Sequence, residues 1–388
     1  MMNDSAELPP PLQETVAGST ASAGQAIDQG QGRIFPCAGC GADLEFHIGQ
    51  QQMKCPYCGY QKEIELDDDE EVAEQDLYAM LDHMRELRDQ KDDAHQETGV
   101  KEVRCESCSG TVVFVGSLTS SACPYCASPI QLENVHDAVH RVPVDGVLPF
   151  LTEKETAKKN LKAWVKSLWF APNDLNKNVT GTFNGVYLPF WTYDTLTFNK
   201  YTGQRGEHYY VTRGTGKNKR RVRKTRWWSA SGKFQRFFDD VLVLATKNLS
   251  AEMMLKLEPW PLHKCVPFNQ EMLAGYLART YEIELEDGFR VAKKRIDAAL
   301  DSDVRSRIGG DEQRVHSIDT RYDAITYKHL LLPVWLLAYR YNKKSYQVMI
   351  NASTGEVQGD RPYSWVKITL AVLGGLLAVG GIVLAMNQ

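Results

Sequence analysis

Residues 37–59 read CAGCGADLEFHIGQQQMKCPYCG, and residues 105–127 read CESCSGTVVFVGSLTSSACPYCA. A Cys-Pro-Tyr-Cys tetrad on its own would suit a redox dithiol at the start of a helix. Here each tetrad follows a second Cys-x2-Cys pair, with fourteen residues between the pairs, and every cysteine of the second set lies 68 positions after its counterpart. Two such knuckles on short hairpins can bring four thiolates onto one tetrahedral zinc at about 2.3 Å. The segments ADLEF (42–46) and TVVFV (111–115) are β-prone, and Gly41 and Gly59 follow Cys40 and Cys58 where the chain must turn. The spacing therefore predicts two closed zinc ribbons. The metal ligands are Cys37, Cys40, Cys55 and Cys58, then Cys105, Cys108, Cys123 and Cys126, giving two Zn2+ per chain. In the second set Ser109 and Ala127 replace the knuckle glycines, so its metal should be held less tightly.

Working outward, residues 1–32 are rich in Ala, Gly, Ser, Gln and Pro, have no secretory signal, and read as a disordered tail. The ribbons occupy 33–64 and 102–133. The linker, 65–101, is acidic, and Leu77, Met80, Leu81, Met84 and Leu87 recur at helical steps. That stripe predicts an amphipathic helix packed on a ribbon or on a partner helix. His136 and His140 have i,i+4 spacing but no third ligand. Cys265, the ninth cysteine, sits among apolar neighbours and reads as core.

Residues 143–256 and 257–364 read as two related α+β units. Each runs Pro-Phe, a helix cap, a helix, then Leu-Pro-x-Trp into a hairpin. The first opens with a capping box from Thr152 to Glu155, and the second has Asn269 as an N-cap and an extra helix over 286–307 before Gly309-Gly310. Trp191 and Trp335 are read as core anchors.

One segment has charge of its own. Seven of the ten residues 217–226 are basic, namely Lys217, Lys219, Arg220, Arg221, Arg223, Lys224 and Arg226, and Trp227 and Trp228 follow. These nine residues form a candidate anionic-surface site: a membrane surface or a partner protein first, a solvated hairpin second, nucleic acid third. The net charge of −4 excludes a global basic field. Residues 214–218, GTGKN, lack the rest of a phosphate loop, and no His-Glu-x-x-His or Gly-x-Ser-x-Gly motif occurs. No catalytic site is predicted.

Residues 368–386 are uncharged and mostly apolar, enough helix for a bilayer core, preceded by Arg361 and Lys367. The reading is a C-terminal anchor at 367–388 with the bulk of the chain in the cytosol. Ala371, Gly374, Ala378, Gly381 and Ala385 fall near one face and would let copies associate through the span. The fold class expected is multidomain α+β: two small β zinc ribbons, a duplicated α+β region with antiparallel sheets, and one transmembrane helix.

The order of motifs adds a family expectation. The paired CxxC…CPYC ribbons, LPFWTYD (188–194), FDDVLV (238–243), YLARTY (276–281), NASTGEVQGDRPYS (351–364) and the terminal apolar span run through about residues 33–388. Together they resemble bacterial membrane-anchored double-zinc-ribbon proteins, often labelled primosomal protein N′ or replication-restart helicase-like. The resemblance implies association with SPFH (flotillin-like) and PspA-type membrane-stress proteins at the bacterial cytoplasmic membrane. It implies a non-enzymatic, tail-anchored adaptor that recruits such partners. The alternative is a membrane-associated nucleic-acid-binding protein related to primosomal zinc modules, without helicase activity.

Overall fold

The computed structural model describes residues 37–40, 42, 44–47, 52–64 and 71–89, short backbone segments within 100–137, and residues 141–172, 174–175, 181–214, 219–247, 249–273, 276–342 and 344–386. The first ribbon is a three-stranded antiparallel sheet of β1 (Glu45–His47), β2 (Gln52–Lys54) and β3 (Gln61–Glu63). β4 (Gln75–Asp76) and α1 (Leu77–Asp89) follow. In the second repeat only backbone is described. It comprises β5 (Val100–Arg104), β6 (Thr111–Val115), β7 (Ser121–Ala122), β8 (Pro129–Ile130) and β9 (Val135–Asp137), with β5 between β6 and β9. Cys105, Cys108, Cys123, Cys126 and His140 lie outside the described residues. His136 lies on β9 opposite Glu102, a strand rather than the helix its spacing to His140 suggests.

The rest is built on one ten-stranded sheet. Its elements are β10 (Gly146–Val147), α2 (Lys154–Ser167), β11 (Gly181–Arg213), β12 (Arg220–Phe238), β13 (Val243–Leu244), α3 (Ala251–Leu255), β14 (Val266–Pro267), β15 (Leu277–Ala278), α4 (Leu285–Ile308), β16 (Glu312–Tyr341), β17 (Lys344–Asn351) and β18 (Val357–Gly359). The predicted α+β class is thus corrected: the chain is mostly antiparallel β with few helices. The two supposed units do not fold side by side, because β11 of the first pairs with β16 of the second from Gly181↔Tyr339 to Gly206↔Glu312. The helices cross over as well. Trp191 on β11 donates its ring N–H to Ile283 O at 2.9 Å, just before α4, while Trp335 on β16 donates to Thr152 O at 2.9 Å, just before α2. Each Leu-Pro-x-Trp strand therefore anchors the helix of the other half. Local periodicity cannot register such an exchange, since it sees each half alone.

Burial along β11 follows directly from sequence. Residues 186–191 form an unbroken apolar run, VYLPFW, and both faces are covered. Tyr187 faces Phe150 and the α2 side, whereas Val186, Leu188 and Phe190 face Leu242, Leu257 and Trp260. Farther along, α4 covers one face, with Ile296, Leu300, Val304 and Ile308 buried against Tyr201, Phe234 and Phe238. Gly288 permits the close approach of α4, because a Cβ there would lie 2.4 Å from the Tyr193 hydroxyl oxygen. Past Gly206 most of the described side chains of β11 and the facing start of β12 are exposed.

Several local expectations change. The capping box does not form: α2 starts after Glu153, with no side-chain cap. The segment after Asn269 is a 3-10 turn (Gln270–Leu273) and then β15, although the Asn269 carboxamide oxygen does accept Glu271 N–H at 2.9 Å. The predicted 286–307 helix is α4 and stops at Gly309 and Gly310, both with positive φ. The α1 stripe packs on the large sheet rather than on a ribbon: Leu77 and Met84 are buried with Trp191, Tyr193 and Tyr327. β4 itself pairs with β16 at Thr326 and Tyr327.

The terminal α5 (Trp365–Met386) is helical, but the reading of it as a membrane span is overturned. Among the described residues no helix is long and apolar enough to cross a membrane. The first turn of α5 carries Trp365 and Lys367, and Lys367 Nζ donates to Ala171 O at 2.8 Å, tying the start of the helix to the body. The transmembrane and tail-anchored assignment, and the inner-membrane location drawn from it, fall with that finding.

Candidate metal centre

The first repeat folds as its spacing requires. Each knuckle closes with a backbone bond across the turn, Cys37 N–H to Ala42 O at 2.7 Å and Cys55 N–H to Tyr60 O at 2.8 Å. Gly59 takes φ +74°, a conformation that strains any residue with a Cβ. β1 and β2 join the knuckles in register Glu45↔Lys54, Phe46↔Met53, His47↔Gln52. The Sγ atoms of Cys37, Cys40, Cys55 and Cys58 all lie within 4.8 Å of one another. Cys37 and Cys58 are 3.5 Å apart, as are Cys40 and Cys55. A disulfide needs about 2.0 Å, whereas four sulfurs at about 2.3 Å from a central zinc would be about 3.8 Å apart. The donor set and its geometry therefore fit a tetrahedral four-thiolate metal site. Gly39 N–H points at Cys37 Sγ at 3.3 Å, which stabilises a thiolate. The Cys58 backbone N–H, and then that of Tyr57, lowers the Cys55 thiol to about 6, the direction that favours a thiolate there.

The ribbon is docked on the large sheet. Leu44, Phe46, Met53 and Ile64 are buried in one cluster with Phe150, Leu161, Met272 and Trp335. Lys62 on β3 pairs with Glu271 in the 3-10 turn. The tip of the second knuckle points outward, with Tyr57 81% exposed.

The basic segment lies elsewhere. Arg220 to Trp228 form the start of β12, hydrogen-bonded to the end of β11; Lys219 lies just before it, and Lys217 lies outside the described residues. Trp227 is half-covered, with Arg314 3.9 Å from its ring centre, whereas Trp228 stays exposed. The two tryptophans point to opposite faces of the strand, as neighbours on a strand must.

Two sequence expectations about single residues hold, since Trp191 and Trp335 are core. Cys265 packs beside the cluster around Leu242 and Trp260, and burial pushes its thiol up to about 12, so it is no nucleophile at neutral pH. One constellation escaped sequence reasoning. Lys328 on β16 lies 3.0 Å from Asp240, 3.6 Å from Asp194 and 3.5 Å from Glu74. Burial raises the Asp194 carboxyl to about 7, against the pull of the Asp240 N–H and Lys328. Burial works to lower Lys328, but the carboxylates around it outweigh that and raise it. Oxygens of Asp194, Asp239 and Asp240 are close enough to share a cation, but the ammonium of Lys328 already supplies that charge. The group is an ion-pair knot tying β11 and β16 to Glu74, just before β4, and Asp240, just after β12. Its signal in the sequence was a lysine inside the otherwise buried run YKHLLLPVWLL (327–337), which implies a buried partner.

The chain is 26% identical over 359 residues to the uncharacterized protein YdjG of Bacillus subtilis (strain 168), covering 91% of this chain and 96% of that protein. No family model and no solved structure matches.

Proposed function

We propose that the protein is a non-enzymatic zinc-ribbon adaptor that binds another protein. Cys37, Cys40, Cys55 and Cys58 hold one zinc, and by repetition Cys105, Cys108, Cys123 and Cys126 hold the second. The observation carrying this reading is the four-thiolate cluster itself. With four protein ligands the metal keeps no open position for substrate or water, the arrangement of structural rather than catalytic zinc. Its role is to fix a small platform. Docking on the sheet at Phe46 and Lys62 leaves the second knuckle, with Tyr57 and Tyr60, facing outward on a rigid base. Exposed tyrosines on a preorganised turn suit protein recognition, because they bring contact area at small entropic cost. The resemblance described above makes a flotillin-like protein the first partner to try.

The test is purification of the cross-linked full chain, with nuclease and without, beside a Tyr57→Ala, Tyr60→Ala variant. A stoichiometric protein partner that survives nuclease and is lost from the variant supports the adaptor. A partner set unchanged both in the variant and after zinc removal contradicts it.

A further inference from the structure

β16 stops pairing with β11 at Gly206↔Glu312, but β11 and β12 continue together to Arg213↔Arg220. Residues 207–213 and 220–226 thus form a two-stranded arm standing beyond the three-stranded body, about 20 Å long at 3.3 Å per residue. Its root is firmly held. A Cβ at Gly206 would lie 2.9 Å from Trp227, so the indole packs flat against the opposite strand. His208 Nε2 meets Glu312 Oε1 at 2.6 Å, Thr225 Oγ1 donates to the same oxygen at 3.2 Å, and Asp311 Oδ2 accepts His208 N–H at 2.6 Å.

Residues 205–228 hold nine basic side chains and one acidic, a charge of +8 in a chain whose total is −4, so the remainder carries −12. The one acid, Glu207, is taken by Arg205 at 3.0 Å. Among the described residues no carboxylate forms a salt bridge with Arg220, Arg221, Lys224 or Arg226, and Arg223 acts only through its charge on Glu312 at the root. Two of these cations lie on aromatic rings instead, one on each face. On one face Arg226 is 5.2 Å from the Tyr209 ring centre and 6.0 Å from that of Trp228. On the other, Arg221 is 4.4 Å from Tyr210. Tyr210 and Trp228 are 54% and 52% exposed.

We infer that this arm binds single-stranded nucleic acid, independently of sequence. The inference goes beyond the adaptor reading and does not depend on it. Guanidinium groups supply phosphate contacts, and Tyr209, Tyr210 and Trp228 supply faces on which bases stack. The two-sided arrangement decides among anionic partners. A lipid surface is flat and meets one face of a ribbon, leaving half the cations and rings unused. A polynucleotide bends around the ribbon and reaches both. The case for lipid as the first partner rested on a neighbouring membrane span, and among the described residues no helix is long and apolar enough to cross a membrane.

The test is fluorescence anisotropy of the full chain with a labelled oligo-dT of about 20 nucleotides, a duplex of the same length, and vesicles of phosphatidylglycerol. Single strand is expected to bind at least tenfold tighter than duplex. Its log–log salt slope should lie near −3.5, about 0.7 per phosphate for five cations. Arg220→Glu, Arg221→Glu, Arg223→Glu together should weaken binding about 100-fold. Trp228→Ala should weaken it about tenfold at an almost unchanged salt slope. Neither variant alters zinc content, which serves as the folding control. The proposal is overturned by no binding at about 50 mM salt, by equal affinity for the duplex, by binding to vesicles alone, or by charge reversal without effect.

Discussion

The first ribbon and the large sheet are both antiparallel β structures, yet they are held in opposite ways. The ribbon has three strands of three residues each and a core of a few side chains, Leu44, Phe46, Met53 and Ile64. On its own that is too little apolar surface to offset the entropy of ordering the chain; docking on the sheet supplies part of the rest, and in the proposed reading a metal held by the four thiolates supplies the remainder. The large sheet buries Trp191, Tyr187, Tyr193, Tyr327 and Phe150 almost completely and contains no such cluster of cysteines. The difference teaches where each part is vulnerable: the ribbon to chelation, the sheet to cavities and misplaced charge.

The largest effect should follow metal loss. Cys37→Ser with Cys58→Ser removes half the ligands, and zinc affinity in such sites corresponds to about 10–16 kcal/mol of coupled folding free energy. Amide exchange of residues 37–64 should then become fast while β11 and β16 remain protected. If protection of β11 is lost together with that of the ribbon, the two regions are not separable as described.

Trp191→Ala should act the other way. Opening a cavity at a fully buried indole that also bonds Ile283 O costs about 3–5 kcal/mol. Urea unfolding should move to lower midpoint with the metal stoichiometry of the ribbon unchanged.

His329 sharpens the comparison through pH. Burial lowers its imidazole to about 4, against the raising effect of bonds to the Pro143 and Val142 carbonyls. The folded state therefore takes up its proton later than the unfolded chain does. The associated stability is complete above about pH 6.5 and is lost as pH falls toward 4, by about 3 kcal/mol. Asp145 runs against this. Burial raises its carboxyl to about 6, so its contribution is complete below about pH 4 and is lost as pH rises toward 6. The comparison must therefore be between wild type and His329→Asn, which keeps a donor toward Pro143 O. Over that window the variant should lose less stability than wild type; parallel pH profiles would refute the assignment.

The smallest effect is expected where the two regions touch. Lys62 and Glu271 are half- and quarter-exposed, and such a pair contributes about 0.2–1 kcal/mol. Lys62→Ala should leave zinc binding intact and lower the midpoint only slightly. A large loss would mean that docking of the ribbon rests on this pair rather than on Phe46 and its neighbours.

How much of this was legible differs between the two regions. The ribbon was read from spacing alone, because four ligands at fixed separations leave few ways to close a tetrahedron. Trp191, Trp335 and α4 were read from apolar runs and punctuation, and the Gly309-Gly310 stop was visible. The exchange of strands between halves was not, since Leu-Pro-Phe-Trp carries no mark of which helix it will cover. The Lys328 knot was missed for the same reason: its partners Glu74, Asp194 and Asp240 are spread over more than 150 residues. The apolar C-terminal stretch misled because hydropathy was counted over residues 368–386, without the tie of Lys367 to Ala171 at its start.

The most direct test is native mass spectrometry of a chain in which Cys105, Cys108, Cys123 and Cys126 are replaced by serine, combined with thiol titration. The account predicts one zinc per chain, with Cys37, Cys40, Cys55 and Cys58 unreactive until a chelator frees all four together. A metal-free chain whose four thiols react at once, or one carrying a disulfide between residues 37 and 58, would contradict it.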